Sequence, residues 1–320
     1  MTRSTAKKLD PYLDFEQEIN KLKKKLNAVI LAHYYQDSEI QDIADYIGDS
    51  LELSKKAATT SADVIVFCGV KFMAEAAYIL NPDKKVLLPD LNAGCSLEES
   101  CRPDAFKKFR EEYPDHYAVT YINCSAEVKA LSDIIVTSSN AQHIITNLPA
   151  NRPILFAPDK HLGRYLINKT GRQMTLWNGY CVVHENFSER ELIKIKTTNP
   201  KAKIIAHPEC TLSLLEYADY VGSTSSLLKY TTKNNGSEFI VLTEPGIIHQ
   251  MQKAAPNSKF FDVPSHNQAG CNSCSQCPYM RLNTLEKLYY CMVDKSPEII
   301  VPADIAASAK IALDRMLAES

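Results

Sequence analysis

The sequence predicts an α/β protein: three pseudo-threefold-related three-layer αβα domains with parallel sheets around a central active site. Three observations predict it. Three segments of the 320-residue chain align without gaps, each segment reads as strand, helix, strand, and each copy leads on to a loop that carries a cysteine.

The segments are AVILAHYYQDSEIQDIADYIGDS at 28–50, HYAVTYINCSAEVKALSDIIVTS at 116–138 and AKIIAHPECTLSLLEYADYVGST at 202–224. Self-similarity at a fixed period marks a repeated supersecondary unit. His33, Tyr121 and His207 share one column, 88 and then 86 residues apart. Tyr35, Asn123 and Glu209 share the column two places on. Asp45, Asp133 and Asp219 form a third column, and Ser50, Ser138 and Thr224 a fourth.

Along each copy an apolar run makes the first strand and an amphipathic stretch makes the helix. Helix starts are expected at Ser38 and Ser125, where a hydroxyl can cap free backbone N–H groups. The second strand opens near the Asp column, whose members read as turn residues. Another helix leads to a third strand at Val64–Phe67, Ile154–Phe156 and Phe239–Leu242. Strands alternating with short helices imply right-handed βαβ crossovers and a parallel sheet. A polar C-terminal helix from about Pro302 to Leu317 packs across one unit. The expected division is 1–104 for an N-terminal helix and the first unit, 105–190 for the second, and 191–320 for the third with the C-terminal helix.

Composition narrows the partners. An apolar fraction of 45% and a charged fraction of 23% are those of an ordinary globular protein. A net charge of −2 argues against nucleic acid or an anionic membrane. The basic run Lys21–Lys25 falls among Phe15, Ile19, Leu22 and Leu26 at helical spacing, which makes it the wet face of a surface helix. Met1–Pro11 lacks the apolar core of a signal peptide, and no apolar run reaches membrane-spanning length. The expected compartment is the cytoplasm. There, ten cysteines are not expected to form structural disulfides.

Ligands of parallel α/β units bind beyond the carboxyl ends of the strands. If the three units face one axis, His33, Tyr121 and His207 meet Ser50, Ser138 and Thr224 there, with Asn123 and Glu209 beside them. Hydroxyls at helix starts suit carboxylates and phosphates, because the helix dipole adds to the hydrogen bonds. One cysteine per unit, Cys95, Cys181 and Cys277, would make a three-ligand centre. That suits an iron–sulfur cluster with one open iron, or a catalytic zinc with a water position. The run Cys271, Cys274, Cys277 also fits a zinc knuckle completed by His266, or an exposed redox pair. Cys68, Cys101, Cys124, Cys210 and Cys291 lie in apolar or unrepeated positions and read as inert.

With these motifs in place the chain resembles the quinolinate synthase family. The resemblance rests on AHYYQ at 32–36, GDS at 48–50, VKFMAE at 70–75, GCSL at 94–97, YIN at 121–123 and TSSN at 137–140. It continues through APDKHLG at 157–163, WNGYCVVH at 177–184, HPEC at 207–210, GSTS at 222–225, TEPGIIHQM at 243–251 and CPYM at 277–280. It implies a 4Fe–4S cluster on Cys95, Cys181 and Cys277. The implied substrates are iminoaspartate and dihydroxyacetone phosphate, the first supplied by an aspartate-oxidising enzyme. His33, Ser50, Ser138, Ser223 and Thr224 would hold carboxylates. Tyr35, Tyr121, Asn123, His184 and His207 would orient intermediates or relay protons. Glu209 is the candidate general base, with a pKa expected to be raised. Cys271 and Cys274 are not shared across the family, and the pair either forms a reversible disulfide that tunes activity or stays as idle thiols. The rival readings are a zinc-dependent lyase or hydrolase on the same cysteines, and a non-catalytic redox or metal-binding protein.

Overall fold

The computed structural model describes residues 13–265 and 275–319. Cys271, Cys274 and His266, and the Met1–Pro11 stretch, lie outside the described residues.

Three separate four-stranded sheets carry the chain. The first holds β1 (Ala28–His33), β2 (Tyr46–Gly48), β3 (Val64–Cys68) and β4 (Lys85–Leu87) in the order β2-β1-β3-β4. The second repeats that order with β5 (Tyr117–Tyr121), β6 (Ile134–Val136), β7 (Ile154–Ala157) and β8 (Met174–Leu176). The third does so with β9 (Lys203–Ala206), β10 (Tyr220–Val221), β11 (Glu238–Leu242) and β12 (Lys259–Asp262). Every pairing between these strands is parallel. Parallel sheets are covered on both faces, so their inner strands read as unbroken apolar runs. That is why Ile30, Leu31, Val119, Phe156, Ile205 and Ile240 are fully buried.

The order places the switch point between β1 and β3, and likewise in each copy. From the first strand the chain leaves to one side, then returns on the other. A crevice opens at the carboxyl ends there. His33 and Tyr121 end their strands, and His207 follows β9 directly.

Each sheet has a fourth strand that periodicity does not detect, because three or four residues are too few for a pattern. The cysteine loops therefore follow the fourth strand and not the third. The helix expected to start at Ser38 is capped instead by Asp37, without a side-chain bond, whereas Ser125 accepts from Val128 N at 3.4 Å as expected.

The Asp column does more than turn the chain. Asp45, Asp133 and Asp219 accept with Oδ2 from the backbone N–H of Ile30, Ala118 and Ile204 at 2.8, 2.8 and 2.7 Å. Their own N–H groups donate back to the carbonyls of the same residues at 3.0, 3.0 and 2.8 Å. Each aspartate thus clamps a two- or three-residue edge strand to the centre of its sheet and pins the register.

The N-terminal helix Phe15–Leu26 is capped by Asp14, which accepts from Gln17 N at 3.0 Å, and buries Ile19. It packs on the helix Leu285–Asp294. The C-terminal helix Ala303–Ala318 is placed differently from the expectation. Its apolar stripe of Ala309, Ala312, Leu313 and Met316 packs against β6 and the helices Ala126–Ala130 and Lys71–Leu80. It therefore rests on the first two units, because the chain after Met280 runs back over the first sheet. Among the described residues no helix is long and apolar enough to cross a membrane.

Asp133→Ala removes the acceptor side chain of this clamp in the second unit. Leaving the Ala118 N–H without its partner is expected to cost about 1–2 kcal/mol. A fall in the urea midpoint checks this; an unchanged midpoint would show the clamp to be dispensable.

Candidate functional site

One cavity opens where the three switch points meet. The first unit lines it with His33, Tyr35, Ser50 and Cys95, and the second with Tyr121, Asn123, Ser138, Cys181 and His184. The third contributes His207, Glu209 and Thr224, and Cys277 reaches it from the segment that follows. Ser223 is the exception among the expected residues. It caps the helix Thr224–Lys233 by accepting from Ser226 N at 3.3 Å and is absent from the lining. Asp49, Thr243 and Glu244 also line the cavity or bond to its groups, and column matching alone does not single them out.

The two histidine positions share a local device. The backbone N–H two residues on donates to Nδ1 in each: Tyr35 N to His33 at 3.2 Å, and Glu209 N to His207 at 3.4 Å. In a neutral ring this leaves the proton on Nε2. His207 Nε2 then donates to Ser138 Oγ at 3.2 Å. Burial lowers His33 to about 4 and His207 to about 3, against the upward pull of Asp49 and Glu209, so both rings are neutral at pH 7.

Glu209 is 3% exposed and fully bonded. Tyr121 donates its hydroxyl to Oε1 at 2.5 Å, and His184 Nδ1 lies 2.9 Å from Oε2. Burial pushes the carboxyl up, but His184, His207 and the bonds from His184 and Tyr121 outweigh it and hold it at about 2. The expected raised pKa is thus corrected: the surrounding donors, not the burial, decide. Tyr121 and Tyr35 are driven the other way, well above the ordinary phenol value, chiefly by burial, and remain protonated.

Hydrogen bonds continue away from Glu209. His184 Nε2 meets Thr243 Oγ1 at 3.0 Å, Thr243 meets Tyr35 OH at 2.7 Å, and Tyr35 meets Thr224 Oγ1 at 3.0 Å. Asn123 Oδ1 is buried with no protein partner, an acceptor free for a ligand donor.

The three cysteines are unpaired thiols facing the same cavity. Burial pushes all three up, Cys277 to about 11, while backbone N–H groups two or three residues on act against the rise. Those groups belong to Leu97 and Glu98, to His184, and to Tyr279 and Met280. Buried thiols converging from three elements, each beside backbone donors that favour the thiolate, fit a soft-metal centre. Cys181, His184 and Glu209 also bring ligand atoms within 4.8 Å of one another, a mixed set that a metal ion can use. His184 Nδ1 lies 3.3 Å from Cys181 Sγ as well as beside Glu209. The site can therefore hold a metal.

The chain is similar to known proteins over nearly its whole length. Residues 17–318 match the family described as quinolinate synthetase A protein. A quinolinate synthase from Microcystis aeruginosa is 62% identical over 304 residues, covering 95% of this chain and 94% of the relative. One from Ehrlichia chaffeensis is 62% identical over 301 residues, covering 94% and 96%. One from Synechocystis sp. is 59% identical over 307 residues, covering 96% of each.

The neutral buried histidines set a pH response. Their folded values lie below the ordinary 6.5, so the unfolded chain takes up protons first as pH falls. Their contribution to stability is full above pH 6.5 and is lost as pH falls toward 4. Urea midpoints of the metal-free protein should drop across that window, and His33→Gln should flatten the drop. A midpoint independent of pH there would contradict the assignment.

Proposed function

The chain belongs to the quinolinate synthetase A protein family, and from that premise we propose that its central site makes quinolinate in NAD biosynthesis. The substrates are iminoaspartate and dihydroxyacetone phosphate, which together lose phosphate and two waters. The observation that carries the reading is the meeting of one thiol from each third of the chain with a buried carboxylate and its donors in a single cavity.

Cys95, Cys181 and Cys277 hold a 4Fe–4S cluster, and Glu209 and His184 belong to the reaction and not to the metal. The 2.9 Å contact between Glu209 and His184 supports this division, because it leaves the carboxylate bonded on both oxygens without any metal. When bound, such a cluster supplies a Lewis-acidic iron with a free coordination position. The chain's own groups do the rest. His33, Ser50, Ser138 and Thr224 grip substrate carboxylates, with neutral imidazole Nε2–H groups and hydroxyls as donors. Asn123 offers its free oxygen to an N–H or O–H of the substrate. Glu209, ionised and carrying the hydrogen bond of Tyr121, accepts a proton in the tautomerisation steps that precede loss of water. His184 takes part through the hydrogen bond to Glu209, and Tyr35 and His207 return protons to leaving hydroxyl groups. Burial of the whole set keeps water from hydrolysing the imine. The protein works in the cytoplasm, where an aspartate-oxidising enzyme supplies the imine.

Two measurements test the reading. Anaerobically purified protein should be brown, with iron and sulfide in equal amounts. Cys95→Ala, Cys181→Ala and Cys277→Ala should each lose the cluster, and Cys271→Ala should keep it. Colourless protein carrying zinc on Cys181, His184 and Glu209 would favour the zinc enzyme instead. Glu209→Gln should fold and keep its cluster while kcat for quinolinate falls by about 100-fold or more. Near-normal turnover would remove Glu209 from the chemistry.

A further inference from the structure

We infer that Asp49 is a positioning residue whose carboxylate ties all three units together and so sets Ser50, Ser138 and Thr224 as one ring of substrate-binding hydroxyls. The inference rests on the reading above that those hydroxyls hold substrate carboxylates.

Asp49 is 4% exposed and uses both oxygens. Oδ1 accepts from Leu51 N at 3.1 Å and Glu52 N at 3.0 Å, capping the helix Ser50–Thr59. Glu52 completes a capping box by accepting from Asp49 N at 3.2 Å. Oδ2 leaves the first unit altogether. It accepts from Ser139 Oγ at 2.7 Å and from Ser225 Oγ at 2.6 Å, residues of the second and third units. Such lengths belong to hydroxyls bonded to a charged carboxylate.

The neighbours make the tie functional. Ser139 follows Ser138, Ser225 follows Thr224, and Asp49 precedes Ser50. One carboxylate therefore fixes the residue adjoining each ring hydroxyl. Ser138 and Thr224 line the cavity, whereas Ser139 and Ser225 do not. In each pair one residue lines the cavity and the next donates its hydroxyl to Asp49. The repeat also explains why a single carboxylate suffices. Thr137 and Ser223 occupy the Asp49 column in the other copies, and each bonds within its own unit, Thr137 to Asn140 and Ser223 to Ser226. Symmetric copies would present three donors or three acceptors to the axis. One acceptor facing two donors closes the ring.

The test uses cluster-loaded enzyme and quinolinate, the dicarboxylate product, as the calorimetric probe. Ser139→Ala/Ser225→Ala removes the tie and leaves the cap, the Asp49 charge and all three ring hydroxyls. Its Kd for quinolinate should weaken by about 10-fold or more, and KM should rise more than kcat falls, with iron content unchanged. Asp49→Ala should weaken binding further. Asp49→Asn should recover most of the loss, because its amide oxygen keeps the cap and its NH2 can bond to the same two serine hydroxyls. Wild-type affinity in the double variant, alongside weakened binding by Ser138→Ala, would overturn the inference and leave the ring. Equal binding by Asp49→Asn and Asp49→Ala would overturn it as well, by showing that charge and not geometry matters. If Ser138→Ala also binds like wild type, the hydroxyls do not hold the carboxylates, and the inference falls with the reading beneath it.

Discussion

A charge buried at the centre of a protein has to be matched by donors, and Glu209 draws its donors from another third of the chain. Tyr121 and His184 come from the second unit, on two elements far apart in sequence. An unmatched carboxylate here would be neutral or would keep the units from closing. The contact between the second and third sheets is therefore specified by hydrogen bonds at the strand ends, where apolar packing alone would allow sliding. Buried polar networks specify one arrangement only when every member is satisfied.

The first bond of a longer network follows from that charge. An ionised carboxylate only accepts, so His184 Nδ1 must carry a proton. On its other side His184 Nε2 meets Thr243 Oγ1. Thr243 Oγ1 meets Tyr35 OH, and Tyr35 OH meets Thr224 Oγ1. A continuous chain of hydrogen bonds thus runs from the helix start at Thr224 to Glu209. It begins and ends in the third unit and passes through the first and the second. Moving one unit away would break it at Tyr35 or at His184.

Much of this arrangement is legible in the sequence because the repeat carries it. The column of His33 marks strand ends, that of Ser50 marks two helix starts and, at Ser138, the turn before a third helix, and the structure brings their members to one cavity. What the columns hide is what each residue does once there. The Asp45 column reads as turns because a turn and a backbone clamp use the same residue type at the same place. Ser223 is expected in the pocket only through the family resemblance, and in the structure its hydroxyl caps the helix Thr224–Lys233. Thr243 and Glu244 lie past the third strand, outside the aligned segments, and their bonds span the fold: Glu244 accepts from Arg281 at 2.6 Å and from Cys277 N at 3.2 Å. The fourth strands are too short to show a period, and the C-terminal helix reaches the first two units by a return path that local pattern cannot reveal.

A threefold frame acting on two different small molecules needs unlike groups at equivalent places, and burial is what makes them unlike. Two buried carboxyls of the third unit line the site, Glu209 and Glu244, and Asp159 of the second unit is buried within reach of the charge of Glu209. Burial and the charge of Glu209 push Asp159 well above the ordinary carboxyl value. Burial raises Glu244 too, even with Arg281 beside it. Glu209 alone of the three is driven down, because it is the one that faces His184, His207 and Tyr121 together. Titratable groups whose environments separate their pKa values identify the acid and the base of a site. In the reading proposed above, Glu209 is the resting proton acceptor of the three, and the neutral His33 and His207 rings and the phenols around it are the donors.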